Sequence, residues 1–455
     1  MEAGEETSVF YNNPQNCNEE TGETSHLCNN QQKDYNAIPK VTESIHDDLE
    51  KNSTTTSGSG SDWAAYMNIV CVVAGSGTLG ISYALQQGGW ISLILLIIAA
   101  LMSTYTSIKL IECLYHGKTR KTSVSELAYY AFGNPGLCVV GFFFNVISLG
   151  CPILYLVLSG DNLQILFSNH GIDLGRETWV YFCATTMCVP FIFLKTMKET
   201  AWLSIFGVVT TLFVVLTVFI ISIIEYPKNL KNQHDFVNFR NLPIALSTFF
   251  FSFGGNVVYP HIQASMKNRK AWPKVVKLAK FTIVFMYLLI GIPAYLTYGR
   301  NTKSPIYLSL PPGVIVDITM LMITIHILFA LPVYQTAFSL ELEKYIFTNI
   351  SIISNTSEFI LRTILRLTLV AFTVYVAIVV PYFNTIMSLL GALGNGILLM
   401  VMPILIWIKL FGWNHLKNFK EKIWVIFILI FALCGAIIGT WDALNTLSTE
   451  ILSGN

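Results

Sequence analysis

The sequence predicts an all-α membrane protein of about eleven transmembrane helices, and three observations carry that prediction. Of the 455 residues, 53% are hydrophobic and only 12% are charged, whereas a soluble domain is about 25% charged. Apolar runs close to the roughly 20 residues of a bilayer-spanning helix recur along the chain. Glycine or proline interrupts the first, sixth and eighth runs. This composition favours a lipid bilayer as the environment and excludes a disordered chain, a disulfide scaffold and a nucleic-acid binder.

The eleven runs define a transporter-sized domain over residues 63–443. We place the spans at 64–86, 90–114, 136–160, 177–196, 201–224, 243–263, 275–298, 314–340, 359–380, 384–408 and 423–443. With the amino terminus in the cytosol, 22 Lys and Arg residues lie on the cytosolic side and 6 on the opposite side. Because cytosolic loops are enriched in Lys and Arg, this orientation is favoured, and residues 444–455 form a short non-cytosolic tail.

Residues 1–62 form an acidic segment, with twelve Asp and Glu against three Lys. Such a segment buries too little apolar surface to offset its ordering entropy, so we expect a disordered cytosolic tail. It has no apolar signal region, so the first span is expected to direct insertion. Tyr35 to Ile38 fits a tyrosine-x-x-bulky sorting signal, which would bind a sorting adaptor; the alternative is a chance match, because four-residue patterns of this kind are common.

Two apolar runs are broken at matching places. Each interior glycine costs a helix about 1 kcal/mol relative to alanine, and one cluster alone is also compatible with close helix packing. The breaks lie five spans apart, and an odd repeat length inverts the second copy, which is the arrangement of transporters built on inverted repeats. The residues predicted to bind substrate at the two breaks are Gly75, Ser76, Gly77, Thr78, Leu79, Gly80, Ser252, Phe253, Gly254, Gly255 and Asn256.

Unwound backbone within a membrane must line a polar cavity, because unpaired N–H and C=O groups are costly in lipid. A half-helix that starts near Thr78 or Leu79 directs its positive end at the gap, which suits a carboxylate. Carbonyl groups freed near Phe253 and Gly254 suit an ammonium group. The breaks therefore predict an amino acid site, in which a side chain at Gly77 would fill the carboxylate position.

At this point the residues resemble a known family. The stretch from Gly75 to Trp90, with a glycine-rich break and a closing Gly-Trp, is similar to the first-span signature of the amino acid/auxin permease family. Ser125 to Gly133 resembles the family's loop after span two, and Phe253-Gly-Gly-Asn with His261 resembles its sixth-span break. Ser82 stands where many members carry proline. The resemblance covers roughly residues 62–443 and includes vacuolar and vesicular members.

This resemblance implies a LeuT-like fold of five plus five inverted spans and one extra helix, and secondary transport of amino acids. It also places a hydroxyl such as Thr324 near a cation site between spans one and eight, to which Cys71 and Ala74 could contribute carbonyl groups. The vacuolar likeness favours H⁺ over Na⁺ as the coupling ion, and a vacuolar or lysosomal membrane as the location.

Further candidates come from polar residues inside the spans. His326 is the only ionisable residue placed well inside the predicted core, and its ordinary pKa of about 6.5 suits a proton carrier; hydrogen bonding to a neighbouring carbonyl is the alternative. Asn145 and Tyr155 of the third span could face the substrate or bond another helix. We expect Asn395 to lie on a packing face of the tenth span.

The sequence carries no GxSxG, HExxH, Walker A or dinucleotide motif. We therefore expect no enzyme, no cofactor and no metal site. The predicted function is secondary amino acid transport by alternating access, as symport or antiport, and the alternatives are a channel, an amino acid sensor that signals through residues 1–62, and a Na⁺-coupled carrier.

Overall fold

A computed structural model describes residues 60–117, 119–193, 201–349, 355–416 and 418–453. Residues 1–59, which hold the predicted tail and the sorting motif, lie outside the described residues. The described residues between 60 and 347 and between 355 and 453 belong to one compact unit. Within the described ranges the chain is helical apart from short connections, which confirms the all-α class.

The helices follow the predicted apolar runs closely. In chain order they are α1 (Asp62–Val73), α2 (Ile81–Gly88), α3 (Ser92–Leu114), α4 (Val124–Phe132), α5 (Asn134–Ser168), α6 (Arg176–Phe193), α7 (Ala201–Glu225), α8 (Leu242–Ser252), α9 (Tyr259–Ser265), α10 (Trp272–Tyr298), α11 (Val314–Asn349), α12 (Asn355–Val379), α13 (Phe383–Leu389), α14 (Met402–Phe411) and α15 (Phe419–Ser453).

Eight helices of the described part are long and apolar enough to cross a membrane, and the α1–α2 pair, bent by 45°, forms a ninth span. The short α8 is apolar as well, whereas α6 falls outside that set. The count of eleven spans therefore stays a prediction. Within the span that begins with α13, residues Leu390–Val401 form a π-helix, a wider winding that occurs frequently at functional sites.

One face of α7 shows how the bundle meets its surroundings. Exposed aliphatic side chains recur there at intervals of three and four residues, so they form one stripe: Val209, Leu212, Leu216, Ile220 and Ile223. The other side of the helix is buried, with Val214, Val215 and Val218 nearly inaccessible. A continuous apolar stripe of this kind suits lipid rather than water.

The broken helices occupy the centre of the bundle. Helix α10 packs against α1, α2, α3 and α7, while α8 packs against α2, the π-helix and α15. Helix α10 therefore lies beside both halves of the first broken span, and α8 lies beside its second half.

Candidate functional site

The first break lies between α1 and a 3₁₀ turn at Ser76–Gly80, somewhat earlier than the predicted start near Thr78. Thr78 closes part of it, since its N–H donates to the Gly75 carbonyl at 3.1 Å and its hydroxyl donates to the Ala74 carbonyl at 3.0 Å. No hydrogen bond among the described residues uses the N–H groups of Gly75, Ser76 or Gly77. Three backbone donors are thus open at the start of the second half-helix.

The second break lies between Ser252, where α8 ends, and Tyr259, where α9 begins. Gly255 adopts φ +142°, a conformation that favours glycine. A Cβ atom on Gly254 would lie 2.5 Å from Nδ2 of Asn395 and 3.0 Å from the Phe251 carbonyl oxygen, so a side chain at this position would require Asn395 to shift. The paired interruption predicted from the sequence is present in the structure.

The two breaks contact each other directly. Ser252 donates from its hydroxyl to the Gly77 carbonyl at 3.0 Å. A Cβ atom on Gly77 would lie 2.6 Å from Cα of Ser252. A side chain at Gly77 would therefore strike α8, so this glycine serves close helix packing; its place in the substrate site stays a prediction.

A cavity of about 250 Å³ opens where the breaks meet. Eight of the residues predicted to bind substrate or ion line it: Gly75, Ser76, Gly77, Tyr155, Gly254, Gly255, Cys71 and His326. Further lining residues were not among the candidates and include Ser148, Cys151, Phe144, Phe251, Val257, Val258, His261, Tyr334 and Asn395. The lining contains no Asp, Glu, Lys or Arg among the described residues.

Other predicted substrate residues lie behind the cavity wall. Leu79 is fully buried in the core, and Gly80 packs against Met387. Asn256 accepts a hydrogen bond from Ser107 at 2.9 Å and donates to the Leu399 carbonyl at 3.2 Å. These residues shape the break and do not line the cavity.

Phe253 is also placed differently from the prediction. Its carbonyl accepts a hydrogen bond from Nζ of Lys280 on α10, at 3.3 Å. The expectation that this carbonyl is free for a substrate ammonium group is therefore wrong, because a protein ammonium group already occupies it. Asn145 does not line the cavity, and its Oδ1 atom is buried without a hydrogen-bond partner among the described residues.

His326 lies beside the first break. Its Nε2 atom is 3.7 Å from the position of a Cβ on Gly75, and a Cβ on Gly207 of α7 would lie 2.5 Å from its Cε1. Only 8% of the residue is exposed, and no hydrogen bond to its ring is present among the described residues. An imidazole thus borders the cavity between α1, α7 and α11.

Thr324, two residues earlier, faces elsewhere. Its hydroxyl donates to the Met320 carbonyl at 2.7 Å and accepts from Asn162 at 2.9 Å. Neither Thr324 nor Ala74 lines the cavity. Among the described residues, no three His, Cys, Asp or Glu side chains come together in a way that could hold a metal ion.

Three features of the site and its surroundings were not predicted from the sequence. Asn395 was expected on a packing face, but it lines the cavity, and its Nδ2 donates to the Phe251 carbonyl at 3.4 Å. His326 was expected to be the only ionisable residue well inside the core, which is wrong: Lys280 is 2% exposed, and Arg366 and Glu343 form a buried ion pair at 2.8 Å. Lys280 could have been recognised from the sequence, because it lies inside the predicted seventh span, 275–298.

Comparisons with known proteins agree with this geometry. The family described as "Transmembrane amino acid transporter protein" matches residues 58–445. "Amino acid transporter AVT1J" of Arabidopsis thaliana is 26% identical over 423 residues, covering 91% of this chain and 98% of the relative. "Vesicular inhibitory amino acid transporter" of Xenopus tropicalis is 26% identical over 380 residues, covering 78% and 71%.

Among solved structures, that of MhsT in complex with L-phenylalanine aligns with a TM-score of 0.52 at 12% identity, covering 85% of this chain and 99% of that one. A manganese transporter of Eremococcus coleocola aligns with the same TM-score at 10% identity, covering 86% and 91%. At such identities the likeness concerns the fold, and it supports the LeuT-like architecture. The chain is a multi-pass membrane protein, not an enzyme, and it belongs to the transmembrane amino acid transporter family.

Proposed function

We propose that this protein carries neutral amino acids across a membrane by alternating access, with the substrate bound between the two helix breaks. The observation that carries the proposal is that both breaks border one cavity. Unwound backbone at corresponding places in two repeats is typical of substrate sites in such transporters.

The first break offers groups for both ends of an amino acid backbone. The open N–H groups of Gly75, Ser76 and Gly77 lie at the start of a helix, where an anion is stabilised by donors and by the helix dipole. The carbonyl oxygens of Cys71 and Val72 lie 3.8 and 4.0 Å from the Cβ position of Gly75. We assign the carboxylate to the N–H groups and the ammonium group to these carbonyls.

The rest of the cavity selects the side chain. Its wall is largely apolar, with Phe144, Val257 and Phe329 as examples, and the hydroxyls of Ser148 and Tyr155 add polar atoms. A charged side chain would lack a partner of opposite charge there, which is costly in a buried site. This chemistry favours small neutral amino acids.

Protons are the coupling ion in this proposal, and His326 is their carrier. An imidazole is the side chain whose ordinary pKa allows titration between pH 5 and 8. Na⁺ coupling finds less support, since the Thr324 hydroxyl is engaged by Met320 and Asn162. We further propose a cytosolic amino terminus and an endomembrane location, from the Lys and Arg distribution and the vacuolar likeness.

Uptake into proteoliposomes tests the proposal. A panel of labelled amino acids is offered under an imposed pH gradient or an imposed Na⁺ gradient. We expect saturable accumulation of small neutral amino acids that follows the pH gradient. Accumulation that follows only Na⁺ would support the Na⁺-coupled alternative, and ligand binding without flux would support the sensor.

His326→Gln separates coupling from binding. We expect the variant to lose gradient-driven accumulation while it keeps counterflow exchange, which needs no ion gradient. His170→Gln, a change in an exposed loop, serves as the matched control and should accumulate substrate like the wild type. Full accumulation by His326→Gln would contradict its assignment as proton carrier.

A further inference from the structure

A lysine with no carboxylate partner lies at the second break. Lys280 of α10 is 2% exposed, and no ion pair within the described ranges includes it. Burying an ammonium group without a counter-charge is costly unless other groups stabilise it. Its surroundings must therefore supply that stabilisation.

Backbone and aromatic groups of the second break surround the ammonium group. Nζ of Lys280 donates to the Phe253 carbonyl at 3.3 Å and lies 5.3 Å from the centroid of the Phe253 ring. The Tyr259 ring centroid lies 5.7 Å from the same atom. Because aromatic faces attract cations within about 6 Å, these rings suit a desolvated ammonium group. Phe253 directly follows α8, the first half of the sixth span, and Tyr259 begins α9, the second half.

From this arrangement we propose that Lys280 is a resident cation of the second break. Its ammonium group takes the place that a bound metal ion or a substrate ammonium group would otherwise have at the Phe253 carbonyl. The lysine thereby stabilises the unwound backbone and keeps both half-helices in the position that shapes the cavity. Lys280 is a positioning residue in this account, because it does not line the cavity.

The proposal rests on the proposed function and adds a consequence to it. A protein-borne cation makes an external cation unnecessary at this break. A variant without the lysine lacks that charge, and an added cation of the right shape should replace it.

Counterflow exchange tests this consequence. Proteoliposomes loaded with unlabelled amino acids exchange them for a ¹⁴C-labelled amino acid mixture, with no pH gradient and no Na⁺. Lys280→Met keeps an unbranched side chain as far as Cε and removes the ammonium group. We expect exchange to fall about tenfold or more, in line with the loss of a hydrogen bond from a charged donor. Lys277→Met, which changes an exposed lysine on the same helix, should exchange like the wild type.

Lys280→Ala provides the rescue experiment. Propylammonium replaces the atoms that this substitution removes, so we expect it to restore exchange in Lys280→Ala and to leave the wild type unchanged. Tetramethylammonium carries the same charge without an N–H donor and should restore little. Wild-type exchange by Lys280→Met would overturn the proposal, and so would loss of exchange in Lys280→Ala that propylammonium does not relieve.

Folding is followed by size-exclusion chromatography and thermal melting in detergent. If the variants do not exchange because they are unstable, propylammonium should raise the melting temperature of Lys280→Ala but not that of the wild type. Equal responses of both proteins would overturn the proposal. Failure of the wild type to exchange any amino acid would instead refute the proposed function, so the two failures are distinguishable.

Discussion

Tyr287 of α10 joins the two helix breaks, and its substitution by phenylalanine is a sharp test of how they are stabilised. Its hydroxyl lies 2.6 Å from the Ser252 carbonyl oxygen and 3.0 Å from the Val73 carbonyl oxygen. Those carbonyls end α8 and α1, and no other hydrogen bond of the described residues uses either oxygen. One phenol therefore satisfies the freed backbone of both broken spans.

Tyr287→Phe removes the shared donor and leaves two buried carbonyl groups without a partner. Each such group costs about 1–3 kcal/mol, and because one hydroxyl proton serves both oxygens, we expect a total loss in the lower half of the summed range, about 2–4 kcal/mol. The purified variant should melt several degrees below the wild type in detergent, and its exchange should be slower.

Tyr298→Phe is the matched control on the same helix. The Tyr298 hydroxyl is buried and has no hydrogen-bond partner among the described residues. Removing an unpaired buried hydroxyl should be neutral or slightly stabilising. Equal melting temperatures for Tyr287→Phe, Tyr298→Phe and the wild type would refute the reasoning that the phenol stabilises the breaks.

Three further predictions concern a helix contact, a buried ion pair and a loop carboxylate. Gly77→Ala should impair folding or exchange, because its Cβ would lie 2.6 Å from the α8 backbone, whereas Gly141→Ala, whose Cβ would meet open space, should be tolerated in the same melting assay. Glu343→Gln should destabilise the protein by about 3–5 kcal/mol, the usual cost of breaking a buried ion pair, because it removes the carboxylate that pairs with Arg366 at 2.8 Å; an unchanged melting temperature would contradict this. A hydrogen bond from Arg300 holds the pKa of Asp235, in a loop outside the spans, below its usual value. The stabilising effect of this interaction is therefore complete above pH 4 and is lost only as the pH falls through the lowered pKa. The difference in melting temperature between wild type and Asp235→Asn should accordingly be equal at pH 7.5 and pH 5 and shrink below about pH 4.

The sequence was sufficient for the all-α class and both breaks, because glycine clusters inside apolar runs have few structural explanations. It could not distinguish a glycine that faces a ligand from one that faces another helix. Gly75 and Gly77 both line the cavity, but Gly77 also packs on Ser252, and only the position of α8 shows this second role. Gly80, which packs on Met387, is a second example of that ambiguity.

The polar residues were harder to assign, since a side chain in a span can face any of several neighbours. Asn395 lines the cavity because the π-helix changes the direction in which residues of that span point. Thr324 and His326 are two residues apart on one helix and therefore face different neighbours, of which only His326 borders the cavity. The contact of Tyr287 with the breaks could not be predicted from the sequence, since tyrosine within an apolar run is equally compatible with lipid contact.

The central claim is that an amino acid binds in the cavity between the breaks. Cys71 lines this cavity, while Cys138 is exposed on α5 and does not line it. The most direct measurement is the rate at which N-ethylmaleimide modifies each cysteine, followed by mass spectrometry, with and without the amino acid that the uptake panel identifies. We predict that the amino acid slows modification of Cys71 and leaves Cys138 unchanged. An identical Cys71 rate under both conditions, in a preparation that still transports, would contradict the claim.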